Sequence, residues 1–301
     1  MKSLVSLLFA TLLAGALIIL GGCSEEAQNG KIKFYITDSP IDAANVEAVV
    51  LSITRIEVNG PDGWLVVKSF DPALELNILD YQNGNSYFLT EDEFIAGEYS
   101  ELRLVLDAPT NSGAPISNPG CYIRYTDEST QALFVPSGGQ TGYKVKGSFT
   151  LPPDGTVAVT LDFDLRKSIV KAGMSGIYLL KPTVRLVVNQ DASLLKGNFV
   201  EFDEYPKVIV YAYTAGTFSV DEAAEPEEGD VRFGKAITSA SVNGSGKFTL
   251  AFLDPGDYEL ILASHDDNGE FVELIGKYEN VSMSSGSIVE LTISQDALVD
   301  P

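Results

Sequence analysis

The sequence predicts an all-β protein: two tandem antiparallel β-sandwich domains, Lys31 to Val188 and Leu195 to Ala297, behind a cleavable leader. Three observations predict it. Apolar residues recur with a period of two over much of the chain, as in sheets with one buried and one wet face. Gly, Pro, Asn and Asp cluster between those runs. Helical periodicity is confined to two short stretches, Ile41 to Val46 and Leu165 to Ala172, each long enough for a turn or two.

In chain order, Ile32, Phe34 and Ile36 alternate with Lys33 and Tyr35 up to the break Asp38-Ser39-Pro40. Ser52 to Val58 is β-rich, and Asn59-Gly60-Pro61-Asp62-Gly63 turns it into Trp64 to Val67, a hairpin signature. Leu102, Leu104 and Leu106 form one strand, and Tyr143, Val145 and Phe149 another. The most regular strand runs Val157, Val159, Leu161, Phe163, Leu165, with Thr160, Asp162 and Asp164 on its other face, and Val184 to Val188 closes the series. A polar stretch, Asn189 to Ser193, marks the boundary. Beyond it, strands are expected at Lys207 to Tyr213, Lys247 to Phe252, Tyr258 to Ser264, Phe271 to Ile275 and Ile288 to Ile293. Asn243 to Gly246, Asp254-Pro255-Gly256 and Asn268-Gly269 supply the turns, and Asp221 to Asp230 reads as a solvated acidic loop.

Acidic residues outnumber basic ones 42 to 20, a net charge of −22. Such a surface repels nucleic acid, so no nucleic-acid partner is expected. The acidity otherwise fits solubility, divalent cations or a cationic partner. Cys23 and Cys121 are the two cysteines. No disulfide framework is expected, and Cys121, with no histidine near it in sequence, reads as a small buried hydrophobe or a stray thiol.

Residues 1–22 carry one early charge, Lys2, an apolar run from Leu4 to Leu20, and small residues before Cys23. That is the plan of a secretory signal, and the run is short for a membrane span. Leu20-Gly21-Gly22-Cys23 resembles the lipobox of bacterial lipoproteins. The resemblance implies that Cys23 becomes an acylated (palmitate-type) N-terminus, anchored by several chains at roughly 0.8 kcal/mol per buried methylene. Residues 23–30 then form a polar tether. Serine rather than aspartate at position 24 implies the outer membrane, and Glu25-Glu26 resembles surface-export signals. The expected place is the cell envelope, periplasmic or surface-facing.

Lys31 to Val188 resembles the family called domain of unknown function 4382. The motifs are Ile36-Thr37-Asp38-Ser39-Pro40, Leu102 to Asp107, Val135-Pro136-Ser137-Gly138 leading to Gly142-Tyr143-Lys144-Val145, Leu161 to Val170, and Tyr178 to Arg185. The resemblance implies no activity. Residues 195–297 look like carboxypeptidase-regulatory or transthyretin-like modules, through Gly246 to Leu250 and then Leu253-Asp254-Pro255-Gly256-Asp257-Tyr258. That resemblance implies a structural or binding module, of a kind also found in fimbrial subunits.

Asp162 and Asp164 share a strand face with Arg166 just beyond. They read as a solvated face, paired with Arg103 or Lys144, or as weak calcium ligands. Asp266 and Asp267 are the other weak metal candidates. The EF-hand spacing fails there: counting from Ser264, Gly269 is sixth but Ile275 stands twelfth. His265, the one histidine, reads as a strand-end residue, with no nucleophile elbow around any serine. Gly138, Gly139 and Gly142 form no phosphate loop. Tyr122, Tyr125, Tyr211 and Tyr213 are candidates for surface contact with glycan or protein. The expected protein is a non-catalytic, lipid-anchored envelope lipoprotein with a binding or structural role and no cofactor. The alternatives are a carboxylate-dependent polysaccharide hydrolase and a calcium-dependent structural module.

Overall fold

The computed structural model describes residues 28–39, 45–108, 120–136, 142–172, 176–181, 183–227 and 229–301. The leader, Cys23 and the start of the tether lie outside the described residues, as do Pro40, Ile41 and the glycines Gly138 and Gly139.

Strands up to Val188 form two sheets. The smaller contains β1 (Asn29–Ser39), β4 (Tyr87–Ile95), β9 (Thr156–Asp164) and β12 (Val184–Val188), in the order β12-β9-β1-β4. The larger contains β2 (Val46–Gly60), β3 (Gly63–Asn77), β5 (Gly97–Leu106), β6 (Tyr122–Tyr125), β7 (Thr130–Phe134), β8 (Tyr143–Leu151), β10 (Ile169–Ala172) and β11 (Ile177–Leu180). Between β9 and β10 lies a four-residue helix, α1 (Leu165–Ser168). One apolar core joins the two sheets, built from the alternating side chains of β1 (Ile32, Phe34, Ile36), β5 (Leu102, Leu104) and β9 (Leu161, Phe163) among others. The acidic run Glu91-Asp92-Glu93 disguised β4 in the sequence. All three side chains face solvent, so the strand is held by Leu89 and Phe94 on its inner face, with Tyr87 packed beside them.

Strands from Ser193 onward form two further sheets. One is β16 (Lys247–Leu253), β13 (Ser193–Phe199) and β19 (Ile288–Ile293); the other is β15 (Thr238–Ser241), β14 (Lys207–Thr214), β17 (Gly256–His265) and β18 (Phe271–Met283). A turn at 189–192, in which Asp191 and Ala192 N–H groups donate to the Val188 carbonyl, joins β12 to β13.

Most ladders are antiparallel as expected, but among the described residues three are parallel: β1 with β9, β7 with β11, and β13 with β19. Parallel neighbours need a long excursion between them, and between β1 and β9 the chain builds most of the larger sheet before returning. Alternation also fails as a guide to burial in three strands. Val159 to Asp164, Val208 to Tyr213 and Tyr258 to His265 are buried on both faces. The outer face of β14 and β17 (Ile209, Tyr211, Tyr213, Ile261, Ala263) is covered by Phe233 and Ala236 and flanked by Phe218. In the acidic loop around 221–230, Asp221, Glu225, Glu227 and Asp230 are exposed but Glu222 turns inward to accept from the Tyr213 hydroxyl, and the flanking aromatic residues close a second small core.

The turn Asp254-Pro255-Gly256 is not a hairpin. β16 pairs with β13 and β17 with β14, so the chain turns a corner between sheets there. Tyr258 fixes that corner by donating its hydroxyl to the Asp254 carbonyl at 2.7 Å. Tyr99 does the same four residues back, to the Ile95 carbonyl at 2.7 Å. Both match the tyrosine corner of β-sandwiches. The Tyr99 ring rests on Gly60, where a Cβ would come within 2.4 Å of it, so the Asn59 to Gly63 hairpin needs glycine for close approach.

Candidate functional site

Three of the motifs quoted above converge where β1 and β9 end. Parallel register sets Thr37 beside Asp162 and Ser39 beside Asp164. Antiparallel register sets Arg185 of β12 opposite Asp162. None of the carboxylates is solvated: Asp38, Asp162 and Asp164 are 4%, 5% and 6% exposed. The expected wet face is thus a buried one. Arg103 and Lys144 lie on the larger sheet, paired with each other's strands, and do not reach the aspartates.

Each carboxylate has its own partners. Asp162 Oδ2 accepts from Arg185 Nε at 3.1 Å and from the same guanidinium's Nη2. Asp164 accepts from Arg166 Nη2 at 3.1 Å, lies 3.1 Å from Lys167 Nζ, and caps α1 through the Lys167 N–H. Asp38 accepts from Gln82 Nε2 at 2.9 Å and from the Leu165 N–H at 3.2 Å. Tyr143 braces the same corner by donating to the Lys181 carbonyl and accepting from the Thr183 N–H.

These charges also reach the second pair of sheets. Lys167 Nζ donates to the Ala236 carbonyl at 2.6 Å and Arg185 Nη2 to the Phe252 carbonyl at 3.3 Å. The Ser39 and Thr238 hydroxyls lie 2.9 Å apart, and the Arg166 guanidinium lies 5.1 Å from the centroid of the Tyr211 ring. The site is a charged junction between the two sandwiches.

Burial raises the Asp38 pKa well above the usual carboxylate range, against its two hydrogen bonds and with Asp162 and Asp164 adding to the rise. Burial raises Asp162 too, although Arg185 opposes it. At Asp164 burial pushes the same way, but Arg166 and Lys167 outweigh it and the pKa falls. Such divergence marks acid–base candidates when a substrate can reach them. The cavity beside Asp38 and Asp162 holds about 10 Å³, room for roughly one water. A glycosidic bond does not fit between these groups, whose separation in a glycosidase leaves a cleft.

The pH dependence follows in sign. Asp38 binds its proton more tightly folded than unfolded, so its contribution to stability falls as pH rises from about 3.9 through the raised value. Asp164 does the reverse, stabilising above the unfolded pKa and losing that as pH drops through its lowered one. Asp38→Asn keeps an acceptor for Leu165 N–H and lets the Gln82 amide flip to match. The variant is expected to melt above the wild type at neutral pH, with the difference closing toward about pH 4. Melting curves across pH check this; a difference independent of pH would rule out ionised Asp38 as its source.

Beside the junction lies a cleft of about 650 Å³, lined on one side by Val46, Ile123, Tyr125, Leu165 and Tyr178 and on the other by Val231 and Arg232. Burial and a hydrogen bond with Tyr178 push the Tyr125 hydroxyl up to about 12. Of the expected surface tyrosines, Tyr125 lines this cleft and Tyr122 is half-buried on β6. Tyr211 and Tyr213 are fully buried, because the 218–236 segment covers their sheet face. His265 ends β17 as expected, but buried, 3.3 Å from the Tyr211 hydroxyl.

Cys121 is buried, its thiol pushed up to about 12 by desolvation, so little thiolate exists at neutral pH. The Asp266 carboxylate accepts from the Asn268 and Glu270 N–H groups, shaping the β17–β18 hairpin, while Asp267 is exposed beside it. Among the described residues no group of three or more His, Cys, Asp and Glu is placed to hold a metal.

The functional residues that sequence reasoning missed are Asp38, Lys167 and Arg185. Their signal was available: each sits within a quoted motif, Asp38 near the end of β1, Lys167 in α1 just after β9, and Arg185 near the start of the apolar β12.

Residues 29–182, just over half of the chain, match the family described as Domain of unknown function (DUF4382). The chain belongs to that family. The DUF4382 region supplies Asp38, Asp162, Asp164, Arg166 and Lys167 of the junction, and Arg185 lies just past its end. No curated protein matches the chain.

Solved structures resemble it loosely. The Bacillus anthracis TIE protein is 11% identical with a TM-score of 0.21, covering 89% of this chain and 34% of that one, so this chain spans about a third of its length. The minor pilin GBS52 of Streptococcus agalactiae is 12% identical at 0.21, covering 87% and 94%. The shaft pilin spaA of Lactobacillus rhamnosus GG is 11% identical at 0.24, covering 88% and 97%. Likeness of this degree carries no functional argument.

Proposed function

We propose that this DUF4382 protein is a non-catalytic envelope lipoprotein, anchored at the outer membrane through lipid on Cys23, whose two sandwiches serve a binding or structural role. Its partners would be a glycan, an envelope protein or a surface assembly, with residues 195–297 acting as a carboxypeptidase-regulatory-like module. The supporting observation is the state of the motif charges. Asp162 and Asp164 are buried and spent on Arg185, Arg166 and Lys167, where they hold two sandwiches together beside a cavity too small for substrate. No helix among the described residues is long and apolar enough to cross a membrane. In this reading, attachment falls to the lipid.

Two measurements test it. In fractionated cells the chain should sediment with membranes, and Cys23→Ser should move it to the soluble fraction. Incubated with envelope and plant polysaccharides, it should release no products. Turnover that Asp162→Asn abolishes would establish the hydrolase instead.

A further inference from the structure

The 650 Å³ cleft has the size of a small-molecule site, and it opens into a second hollow of about 440 Å³ through shared lining at Asn45 and Thr126. The β17–β18 hairpin forms the far side of that outer hollow with Asp267, Asn268 and Glu270. The two sandwiches thus make one continuous cleft with an inner and an outer part.

The inner part is apolar and aromatic: Ile123, Leu165 and Ile169, with Tyr125 and Tyr178 joined to each other. Its two cations are already matched. Arg166 pairs with Asp164, and Arg232 pairs with Glu225 while lying 4.9 Å from the Phe271 ring centroid. The outer part is rich in exposed planar polar groups. Carboxylates stand at Asp267 and Glu270, and amides at Asn45 and Asn268, while the exposed Asp127 lines the inner part and accepts from the Ser129 N–H and hydroxyl.

Charge narrows the ligand. An anion would cross two exposed carboxylates at the rim and pass Asp127 inside, on a chain of net charge −22, to reach guanidinium groups that already have counterions. A cation would gain at the rim, but the carboxylate it would find in the inner lining, Asp127, is already accepting from Ser129. A neutral polyhydroxyl compound meets neither penalty. Adjacent hydroxyls match the paired acceptors and donors of carboxylate and amide groups, and the C–H faces of a sugar ring pack on tyrosine, whose body is apolar and whose tip is polar. We infer that this cleft binds a neutral oligosaccharide, its rings against Tyr125 and Tyr178 and its hydroxyls on the rim. The assignment rests on the non-catalytic binding role proposed above and gives that role its ligand class.

The test uses the full chain in detergent micelles, probed by calorimetry with cellotetraose, maltotetraose, xylotetraose and mannotetraose, and with tetragalacturonic acid and chitosan tetramer as anionic and cationic counterparts. At least one neutral tetramer should bind saturably, and the charged ones more weakly. Asn268→Ala and Asp267→Ala, both on an exposed hairpin, should weaken it about tenfold without moving the melting temperature. Thr126→Trp, which plugs the passage between the hollows, should abolish it. Binding by none of the neutral tetramers, preference for a charged one, or affinity unchanged by all three variants overturns the assignment. Product analysis of the same samples separates the two readings. Turnover would defeat the non-catalytic role itself, whereas absent binding without turnover would defeat only the sugar assignment.

Discussion

Arg185→Met is expected to destabilise the chain by about 3 kcal/mol, because it strands the Asp162 carboxylate without a cation. Breaking one side of a buried ion pair costs about 3–5 kcal/mol. The lower end applies because Asp162 is buried but the Arg185 side chain is 30% exposed, and water can partly take the guanidinium's place. Asp162→Asn in the same molecule should recover much of the loss, since a neutral amide needs no counter-charge. Denaturant titration of the single and double variants gives the coupling energy. Arg185 also donates to the Phe252 carbonyl in the second sandwich. Its loss should therefore split thermal unfolding, with the two sandwiches melting in separate calorimetric transitions. A single-variant loss below about 1 kcal/mol would place this pair with ordinary solvated salt bridges and remove the junction from the account.

Tyr211→Ala is expected to cost about 3–5 kcal/mol, the range for removing a large aromatic side chain from a core. The ring is fully buried and stacked on Phe233, with centroids 4.2 Å apart. Phe233 itself holds a positive φ of 55°, a backbone state that a bulky residue keeps only when packing demands it. Without Tyr211 that demand weakens, and the covering segment should loosen from the sheet. The Arg166 guanidinium would lose its aromatic neighbour as well. Tyr211→Phe separates ring from hydroxyl: it keeps the stacked ring, gives up the hydroxyl contact with His265 and should cost about 1 kcal/mol. Hydrogen exchange of amides in residues 218–236 would show the loosening directly. Equal losses for the two variants would mean that the hydroxyl, not the packing, carries the effect.

Much of the strand pattern was legible because alternation records one buried face. β8 keeps strict alternation from Tyr143 to Val145 and again at its end, and β19 has the bounds that its apolar spacing implied. The turns were legible too: Asn59 to Gly63 and Asn268-Gly269 both join paired strands. The corner at Asp254-Pro255-Gly256 was not. Proline and glycine announce a reversal of direction without saying whether the next strand pairs with the last one or crosses to the facing sheet.

The candidate site was half legible. Asp162 and Asp164 attracted notice as two carboxylates on one face, and the residues around them carried the family resemblance. Their surroundings could be read locally only at Asp164, whose partners Arg166 and Lys167 follow it in sequence; the other groups that explain the site come from elsewhere in the chain. Asp38 comes from β1, Arg185 from β12, and the carbonyls of Ala236 and Phe252 from the second sandwich. Tyr211 and Tyr213 misled for the same reason, since their cover arrives from a loop that looks merely acidic.

By itself, then, the sequence determined the β class, the places of the main turns and the family, all of which depend on residues close together along the chain. Only the tertiary structure decided which polar side chains are buried. Burial of a strand's second face depends on what packs against it. Here that is set by a parallel pairing of β1 with β9 and by a second sandwich seated on their ends. Neither contact leaves a local periodicity to read.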